Sequence, residues 1–166
     1  NSLYVNTTGY SNVALGNDSL YANSTGYQNT GVGTNALLSN TTGVDNTALG
    51  FDSLYYNTNG YQNTAIGFKS LIGNTTGYSN TAIGFQSLTS NTTGSENIAI
   101  GASAGNEIVT GSNNILIGQS AGSGLGDISN AVVISNLASE QVDPSKFYNV
   151  VCDGNGRLYR STSKNS

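Results

Sequence analysis

The most informative absence in this chain is histidine, which does not occur among its 166 residues. Without histidine, neither a Ser-His-Asp nor a Cys-His catalytic arrangement can form. Cysteine occurs once, as Cys152, so an intrachain disulfide framework and a cysteine-based zinc site are both excluded. We therefore expect a protein that is not an enzyme and that binds no metal or other cofactor.

Basic residues are also scarce, and they are unevenly placed. Charged residues make up 8% of the chain, and Lys69 is the only basic residue between positions 1 and 128. Because phosphate binding requires clustered Lys and Arg, we expect no nucleic-acid partner. No apolar run reaches about 18 residues, so we expect no membrane insertion by this segment. The chain begins inside a repeat, which predicts either a mature product or an excised fragment.

What the chain does have is a sequence repeat with a period of 17. The segment Asn-Thr-Ala-Ile-Gly at 63–67 recurs at 80–84, and a degenerate unit starts at Ala131. Polar residues and 22 glycines are also typical of a disordered linker, but a fixed short period indicates a solenoid. We number the positions of each unit 1 to 17 from its first asparagine. The complete units start at Asn12, Asn29, Asn46, Asn63, Asn80, Asn97 and Asn114.

The apolar and glycine columns predict the shape of one coil. Position 4 is aliphatic from Leu15 to Ile134, which predicts a buried ladder, and position 9 is leucine from Leu3 to Leu88. Glycines at positions 5 and 15, such as Gly67 and Gly77, predict two corners. Each coil then has room for two short strands and two turns. Since a period of 17 is too short for a helical repeat, we predict an all-β, parallel β-solenoid (β-roll) over residues 1–135.

The strand segment is apolar on both sides. Ala65 and Ile66 are adjacent and so face opposite sides of a strand, with Phe68 on the side of Ile66. A strand that is apolar on both sides is normally covered on both sides. We therefore predict self-association along the solenoid, as a side-by-side homotrimer. The alternative is a flattened coil that encloses both sets of side chains.

Aromatic residues also recur in columns. Phe51, Phe68 and Phe85 occupy position 6, and position 16 carries the candidate ligand-binding residues Tyr10, Tyr27, Tyr61 and Tyr78. Such columns stack to support the fold, or they form a stripe that binds sugars or adheres to a surface. Exposure of the tyrosine rings discriminates between these hypotheses. Six asparagines also lie in Asn-x-Ser/Thr acceptor patterns, namely Asn6, Asn17, Asn23, Asn40, Asn74 and Asn91.

These residues carry a resemblance to a known family. The recurring Asn-Thr-Ala-Ile-Gly, with a downstream Ser-Leu and a second glycine turn, resembles the head repeats of YadA-like trimeric autotransporter adhesins and arrays in phage or virus tail fibres. The resemblance covers roughly residues 2 to 135. It implies a left-handed β-roll, with three chains side by side about a threefold axis. The period of 17 is longer than in the adhesin heads, and we expect no membrane anchor within this segment.

After Ser135 the repeat ends, and residues 136–166 are predicted to form a cap and connector. Asp153-Gly154-Asn155-Gly156 lies between two apolar stretches, which favours a β-hairpin over a calcium loop. The segment resembles the Asp-x-x-Gly-x-Leu-x-Arg-Ser sequences that follow repeat arrays in fibre proteins. Cys152 falls in a predicted strand, where a buried structural role is expected.

The function predicted from sequence is a structural and receptor-binding segment of a trimeric fibre or surface adhesin. Its expected location is extracellular, on a virion fibre or bacterial surface, and its expected partners are itself and a host receptor such as a glycan. The alternative is an ice-binding solenoid with rows of threonine, including Thr64 and Thr81 at position 2 and Thr75 and Thr92 at position 13. A polysaccharide-degrading solenoid would need clustered carboxylates, which the repeats do not supply.

Overall fold

The computed structural model describes residues 1–135 together with residues 150–152 and 158–160. Residues 1–135 form a parallel β-solenoid of about seven turns whose coils follow the sequence period, and no helix occurs in this part. The chain divides into two compact units, Asn1–Asn136 and Leu137–Ser166. The predicted all-β solenoid is confirmed.

Each coil contributes one strand of three residues to a single parallel sheet. The strands are β1 (Val13–Leu15), β2 (Thr30–Val32), β3 (Thr47–Leu49), β4 (Thr64–Ile66), β5 (Thr81–Ile83), β6 (Ile98–Ile100), β7 (Ile115–Ile117) and β8 (Val132–Ile134). They pair in chain order, and every residue pairs with its equivalent in the next coil, as Ala65 does with Ala82. Identical positions therefore form columns along the solenoid.

The predicted second strand of each coil does not form. Positions 5 to 11 form turns, because position 7 and the leucine at position 9 both adopt the left-handed backbone conformation, as in Lys69 (φ 53°) and Leu71 (φ 52°). These turns still bond from coil to coil: the Leu71 N–H donates to the Ser87 carbonyl at 2.9 Å. A left-handed leucine is strained by roughly 1–2 kcal/mol. Its side chain is completely buried, which offsets that strain.

Both predicted glycine corners are present, for two different physical reasons. Gly67 has φ +131°, and a Cβ there would lie 2.5 Å from the Gly84 carbonyl oxygen. Gly77 is not left-handed, but a Cβ on it would collide with the Gly94 carbonyl oxygen of the next coil. The first corner therefore needs glycine for its φ and for space, and the second needs it for space alone.

The core lies on the opposite side of the strand from the predicted one. Position 3 faces the interior, where Ala48, Ala65 and Ala82 are completely buried and pack against the leucines of position 9. Position 4 faces outward: Leu15 is 67% exposed and Ile134 is 48% exposed. The predicted buried ladder at position 4 is therefore wrong, as is the flattened coil enclosing both faces. The leucines at position 9 are completely buried from Leu20 to Leu88.

One change of core composition is compensated within the core. Leucine at position 9 gives way to Gly105 and Gly122, and in the same region position 3 changes from alanine to Leu116. A Cβ on Gly105 would lie 2.8 Å from Leu116 Cδ1. Leu116 therefore fills the space that the missing leucines leave.

Two columns of buried asparagine run along the interior at positions 1 and 12. In the position 12 column, Asn74 Nδ2 donates to Asn57 Oδ1 at 2.8 Å and to the Gly77 carbonyl at 3.0 Å. In the position 1 column, Asn80 Nδ2 donates to Asn63 Oδ1 at 3.1 Å, and Asn63 Oδ1 also accepts the Asn80 backbone N–H at 3.0 Å. Each amide therefore satisfies its neighbour in the column and a corner carbonyl.

The position 12 column ends at Asn91, because the next coil has Ile108 at that position. Asn91 still donates to Asn74 Oδ1, but its own Oδ1 is buried and has no hydrogen-bond partner among the described residues. Asn91 thus donates the same two hydrogen bonds as Asn74 but lacks the bond that Asn74 accepts from the next coil.

The C-terminal unit contains two described strands, β9 (Val150–Cys152) and β10 (Leu158–Arg160). They pair antiparallel, with Leu158 opposite Cys152. The predicted turn at 153–156 lies outside the described residues, and the capping role remains a prediction.

The asparagine columns generate a stability prediction. Replacing Asn74 by Ala removes the donor to Asn57 Oδ1 and the acceptor for Asn91 Nδ2, so we expect the free energy of unfolding to fall by about 2–3 kcal/mol. Asn91→Ala is the matched control: it removes one donor but also an acceptor that has no partner in the described part of the chain. We expect its loss to be about 1 kcal/mol smaller in urea denaturation. Equal losses would contradict a stabilising amide column.

Candidate functional site

Nine of the exposed large apolar side chains lie on the strand face, which we define as positions 2 and 4 of β1 to β8. Its central feature is the aliphatic column at position 4, formed by Leu15, Val32, Leu49, Ile66, Ile83, Ile100, Ile117 and Ile134. At position 2, four threonines in β2 to β5 are followed by Ile98, Ile115 and Val132. The column is uninterrupted through eight coils, so its apolar surface is contiguous.

The phenylalanine column extends the strand face at its downstream edge. The ring centroids of Phe51 and Phe68 are 5.5 Å apart, and those of Phe68 and Phe85 are 5.4 Å apart, with the rings nearly parallel. All three rings are exposed, and Lys69 Nζ lies 5.2 Å from the Phe68 centroid. The aliphatic and phenylalanine columns together form an apolar strip with one cation at its margin.

The candidate tyrosines at position 16 form two stacked pairs. Tyr10 and Tyr27 have centroids 4.8 Å apart, Tyr61 and Tyr78 have centroids 4.9 Å apart, and both pairs are parallel within 2°. Tyr10, Tyr61 and Tyr78 are exposed and Tyr27 is half-buried. The rings therefore face outward as well as stacking, so exposure leaves the ligand-binding prediction in place.

Stacking limits what these rings can offer a ligand. In each pair, one face of each ring is covered by the other ring, so only edges, hydroxyl groups and the outer faces are free. The two pairs are separated by one coil, in which Val44 occupies position 16. The four predicted residues are thus brought into one column but not into one continuous stack.

The threonine rows at positions 13 and 2 differ in what they present to water. At position 13, Thr75 Oγ1 donates to the Thr92 carbonyl at 3.1 Å, and Thr92 Oγ1 donates to the Val109 carbonyl at 3.1 Å. These hydroxyls bond along the solenoid axis within the protein. At position 2, Thr64 and Thr81 lie on the strand face beside the aliphatic column. Neither observation specifically favours ice binding, which stays an untested alternative.

Two carboxylates near the end of the solenoid hold the last coil. Asp127 Oδ1 accepts the backbone N–H groups of Val109 at 2.9 Å, Thr110 at 3.0 Å and Gly111 at 2.8 Å. In earlier coils a backbone carbonyl of the next coil receives the equivalent N–H groups, as the Thr58 carbonyl does for Thr41 and Thr42. Hydrogen bonds to the ionised carboxylate lower the pKa of Asp127 to about 2. The largest contribution comes from the Val109 N–H and the next from the Thr110 hydroxyl.

Glu107 also accepts backbone N–H groups of a neighbouring coil, but from the following coil, whereas Asp127 accepts them from the preceding one. The Glu107 carboxylate accepts the N–H groups of Gly124 at 3.0 Å and Gly126 at 3.1 Å. The bond from Gly124, followed by that from Gly126, lowers the pKa of Glu107. Sequence reasoning missed both residues, although Asp127 stands at position 14 where most coils have threonine. Both carboxylates bond only to neighbouring coils, which is a structural role.

No group of three or more His, Cys, Asp or Glu residues that could hold a metal ion occurs among the described residues. Asp18 and Asp52 both occupy position 7 but lie two coils apart, and Asp45 occupies position 17, so the three carboxylates build no repeated site. A search of the same residues for a helix capable of spanning a membrane found none.

Four of the six glycosylation acceptor patterns lie inside the solenoid. Asn23, Asn40, Asn74 and Asn91 are completely buried members of the position 12 column. Asn6 is half-buried at the start of that column, and Asn17 is exposed. The Asn-x-Ser/Thr matches at the buried positions therefore reflect the interior hydrogen-bond network.

Comparison of the chain with protein-family models, with curated proteins and with solved structures found no significant match. The fold and its exposed columns are therefore the features that bear on function.

The carboxylate geometry generates a pH prediction. The folded-state pKa of Asp127 is below its ordinary value, so its stabilisation is present above about pH 4 and is lost as the pH falls toward 2. Asp127→Asn is expected to lower the melting temperature by about 1–4 °C at pH 6 and by clearly less at pH 2, where about half of the Asp127 carboxylate is protonated.

The control is Asp45→Asn, since this exposed carboxylate accepts no hydrogen bond from the described residues. Melting curves followed by circular dichroism should show no pH-dependent effect for it. A difference between wild type and Asp127→Asn that is as large at pH 2 as at pH 6 would count against the capping role.

Proposed function

We propose that this chain is a structural and receptor-binding segment of a trimeric fibre or surface adhesin, through which a phage, virus or bacterium attaches to a host surface. The proposal places the protein outside the cell, on a virion fibre or bacterial surface. The aliphatic column on the strand face is the observation that carries it. Eight coils stacked at about 4.8 Å give a segment of roughly 40 Å, suited to a fibre.

The exposed aliphatic column supports self-association. Leu15, Leu49 and Ile134 are 67%, 46% and 48% exposed, and the intervening aliphatic residues continue the same line. Isolated exposed leucines are normal, but an uninterrupted apolar strip on a soluble chain is typical of an interaction surface. Because the strip follows the whole sheet, an equally long and straight partner covers it best, and a parallel second copy has that form.

A trimer is the assembly proposed, with each chain forming its own coils. Three copies side by side around one axis bury the strand face of every chain and leave no copy with an uncovered strip. The resemblance to YadA-like and tail-fibre repeats supports this arrangement and a left-handed coil. The tyrosine column and the polar corners then remain as outward surfaces available to a receptor, with a glycan as the proposed ligand.

The residue inventory also supports a binding role over catalysis. The chain has no histidine. The two carboxylates with a lowered pKa, Glu107 and Asp127, accept hydrogen bonds from backbone N–H groups of adjacent coils. Regular, rigid columns instead present the same group at intervals of about 4.8 Å, which suits multivalent contact with a repetitive host surface.

The proposed trimer is tested by introducing charged residues on the strand face. Sedimentation equilibrium is expected to give three times the chain mass for wild type. The double variant Ile83→Asp with Ile100→Asp is expected to be monomeric, because burying unpaired carboxylates in an apolar interface strongly opposes association. The matched control, Thr76→Asp with Thr93→Asp, adds the same charges to one exposed column away from the strand face and should stay trimeric.

Attachment is tested with the same proteins. Wild type and the corner control are expected to bind a glycan array or host surface, whereas the monomer loses at least about tenfold in apparent affinity through lost multivalency. A wild-type protein that is monomeric at high concentration and binds no surface would overturn the proposal.

A further inference from the structure

We infer that the gap over Val44, between the rings of Tyr27 and Tyr61, is a binding site for one sugar ring. We call this gap the Val44 slot. It deepens the proposed function, on which it rests, by naming the receptor class and the residues that contact it.

The slot exists because one ring of the tyrosine column is missing. Tyr27 is the last ring of one stacked pair and Tyr61 is the first ring of the next, with Val44 in the coil between them. One coil separates successive rings by 4.8 Å and 4.9 Å within the pairs, so two coils separate Tyr27 from Tyr61 by about 9.6 Å. One stacking interval between Tyr27 and Tyr61 therefore carries no aromatic ring, and in the proposed complex it holds one six-membered ring over the Val44 side chain.

Tyr27 and Tyr61 are also the two rings that keep a free face toward each other. Tyr10 covers the other face of Tyr27, and Tyr78 covers the other face of Tyr61. The outer members of the pairs therefore brace the two slot rings. This is the only place in the column with a tyrosine on both sides of a smaller residue, since Ser95, Ser112 and Ser129 follow Tyr78.

Exposed polar residues that neighbour the slot residues in the chain favour a sugar over a purely apolar ring. Gln28, Asp45 and Gln62 each follow the slot residues Tyr27, Val44 and Tyr61 in the chain and are exposed. Backbone bonds fix this row: Asp45 N–H donates to the Tyr27 carbonyl at 3.2 Å and Gln62 N–H to the Val44 carbonyl at 3.0 Å. Apolar faces with a few amide and carboxylate groups at one edge suit a pyranose, which has C–H faces and a hydroxyl perimeter.

A backbone donor is also available beside the slot. In later coils the position 16 N–H is satisfied by the serine of the next coil, as Tyr78 N–H donates to Ser95 Oγ at 3.1 Å. The equivalent N–H of Tyr27 has no hydrogen-bond partner in residues 1–135, a property it shares with Tyr10, Val44 and Tyr61, because the next coil carries no serine at position 16. A ligand hydroxyl at the slot supplies the oxygen that serine supplies elsewhere.

The test measures monosaccharide binding by wild-type protein and six variants. The probes are methyl β-glucoside, methyl β-galactoside and N-acetylglucosamine, followed through the backbone amide signals of Val44 and Asp45 by NMR. At least one probe is expected to bind with a Kd on the order of millimolar, as a small ligand with two stacking contacts would. Val44→Tyr fills the slot and is expected to abolish binding while keeping the fold.

Matched pairs of tyrosine variants localise the site. Tyr27→Ala and Tyr61→Ala each remove a wall of the slot and should weaken binding by about tenfold. Tyr10→Ala and Tyr78→Ala remove one ring from the same two stacks but lie outside the slot, so binding should stay within about twofold. Val44→Ala keeps the slot open and should retain binding.

Several results would overturn the inference. These are wild-type protein that binds no sugar probe, a Val44→Tyr variant that binds as well as wild type, and p-cresol perturbing the slot amides when no sugar does. The last result would assign the slot to an aromatic group instead. Failure of the proposed function is distinguishable: a wild-type protein that binds a monosaccharide in the slot but attaches to no host surface contradicts attachment alone. Equal attachment by wild type and Val44→Tyr contradicts the slot alone.

Discussion

The structure depends on one constraint: every residue of the array stacks on its own equivalent in the next coil. A buried polar side chain in such a column must therefore be able to bond to a copy of itself. The amide of asparagine meets this requirement, because it carries a donor and an acceptor, as the bond from Asn74 Nδ2 to Asn57 Oδ1 shows. A column of aspartate would place like charges about 4.8 Å apart, and a column of leucine would leave the corner carbonyls without donors. Asparagine satisfies the column and the corner together.

The same constraint explains what the sequence could and could not predict. The period predicts a solenoid and its columns directly, and the glycine spacing predicts both corners. The choice of inner strand face could not be read from hydrophobicity, since Ile66 is more apolar than Ala65 and yet faces outward. The interior already holds Leu71 and the two amide columns, so only a small residue fits opposite them. The second strand was predicted wrongly because the leucines at position 9 have φ near +50°. This conformation is uncommon for leucine, and no sequence pattern indicates it.

Departures from the repeat show how the array ends. The position 12 column stops at Ile108, the leucine column gives way to Gly105, and Leu116 fills the resulting space. Asp127 then supplies side-chain oxygens to N–H groups that receive a neighbouring carbonyl in earlier coils. These changes lie in consecutive coils, so the array ends by exchanging repeated interactions for individual ones. This transition was hidden in the sequence, since each substitution alone resembles ordinary degeneracy.

A scaffold of this kind separates structural from functional information. Interior positions must repeat because each residue bonds to its own copy, so they carry little information about a ligand. Outward-facing positions do not have to repeat in this way. A substitution at an outward position that the interior hydrogen bonds do not require therefore needs another explanation. Leu116 is an interior change with an interior cause. Val44 interrupts a column of tyrosines that stack well on either side, and the two amide columns continue unchanged beside it through Asn29, Asn40 and Asn46. The place to look for function in a repeat protein is therefore an outward interruption that the scaffold does not require.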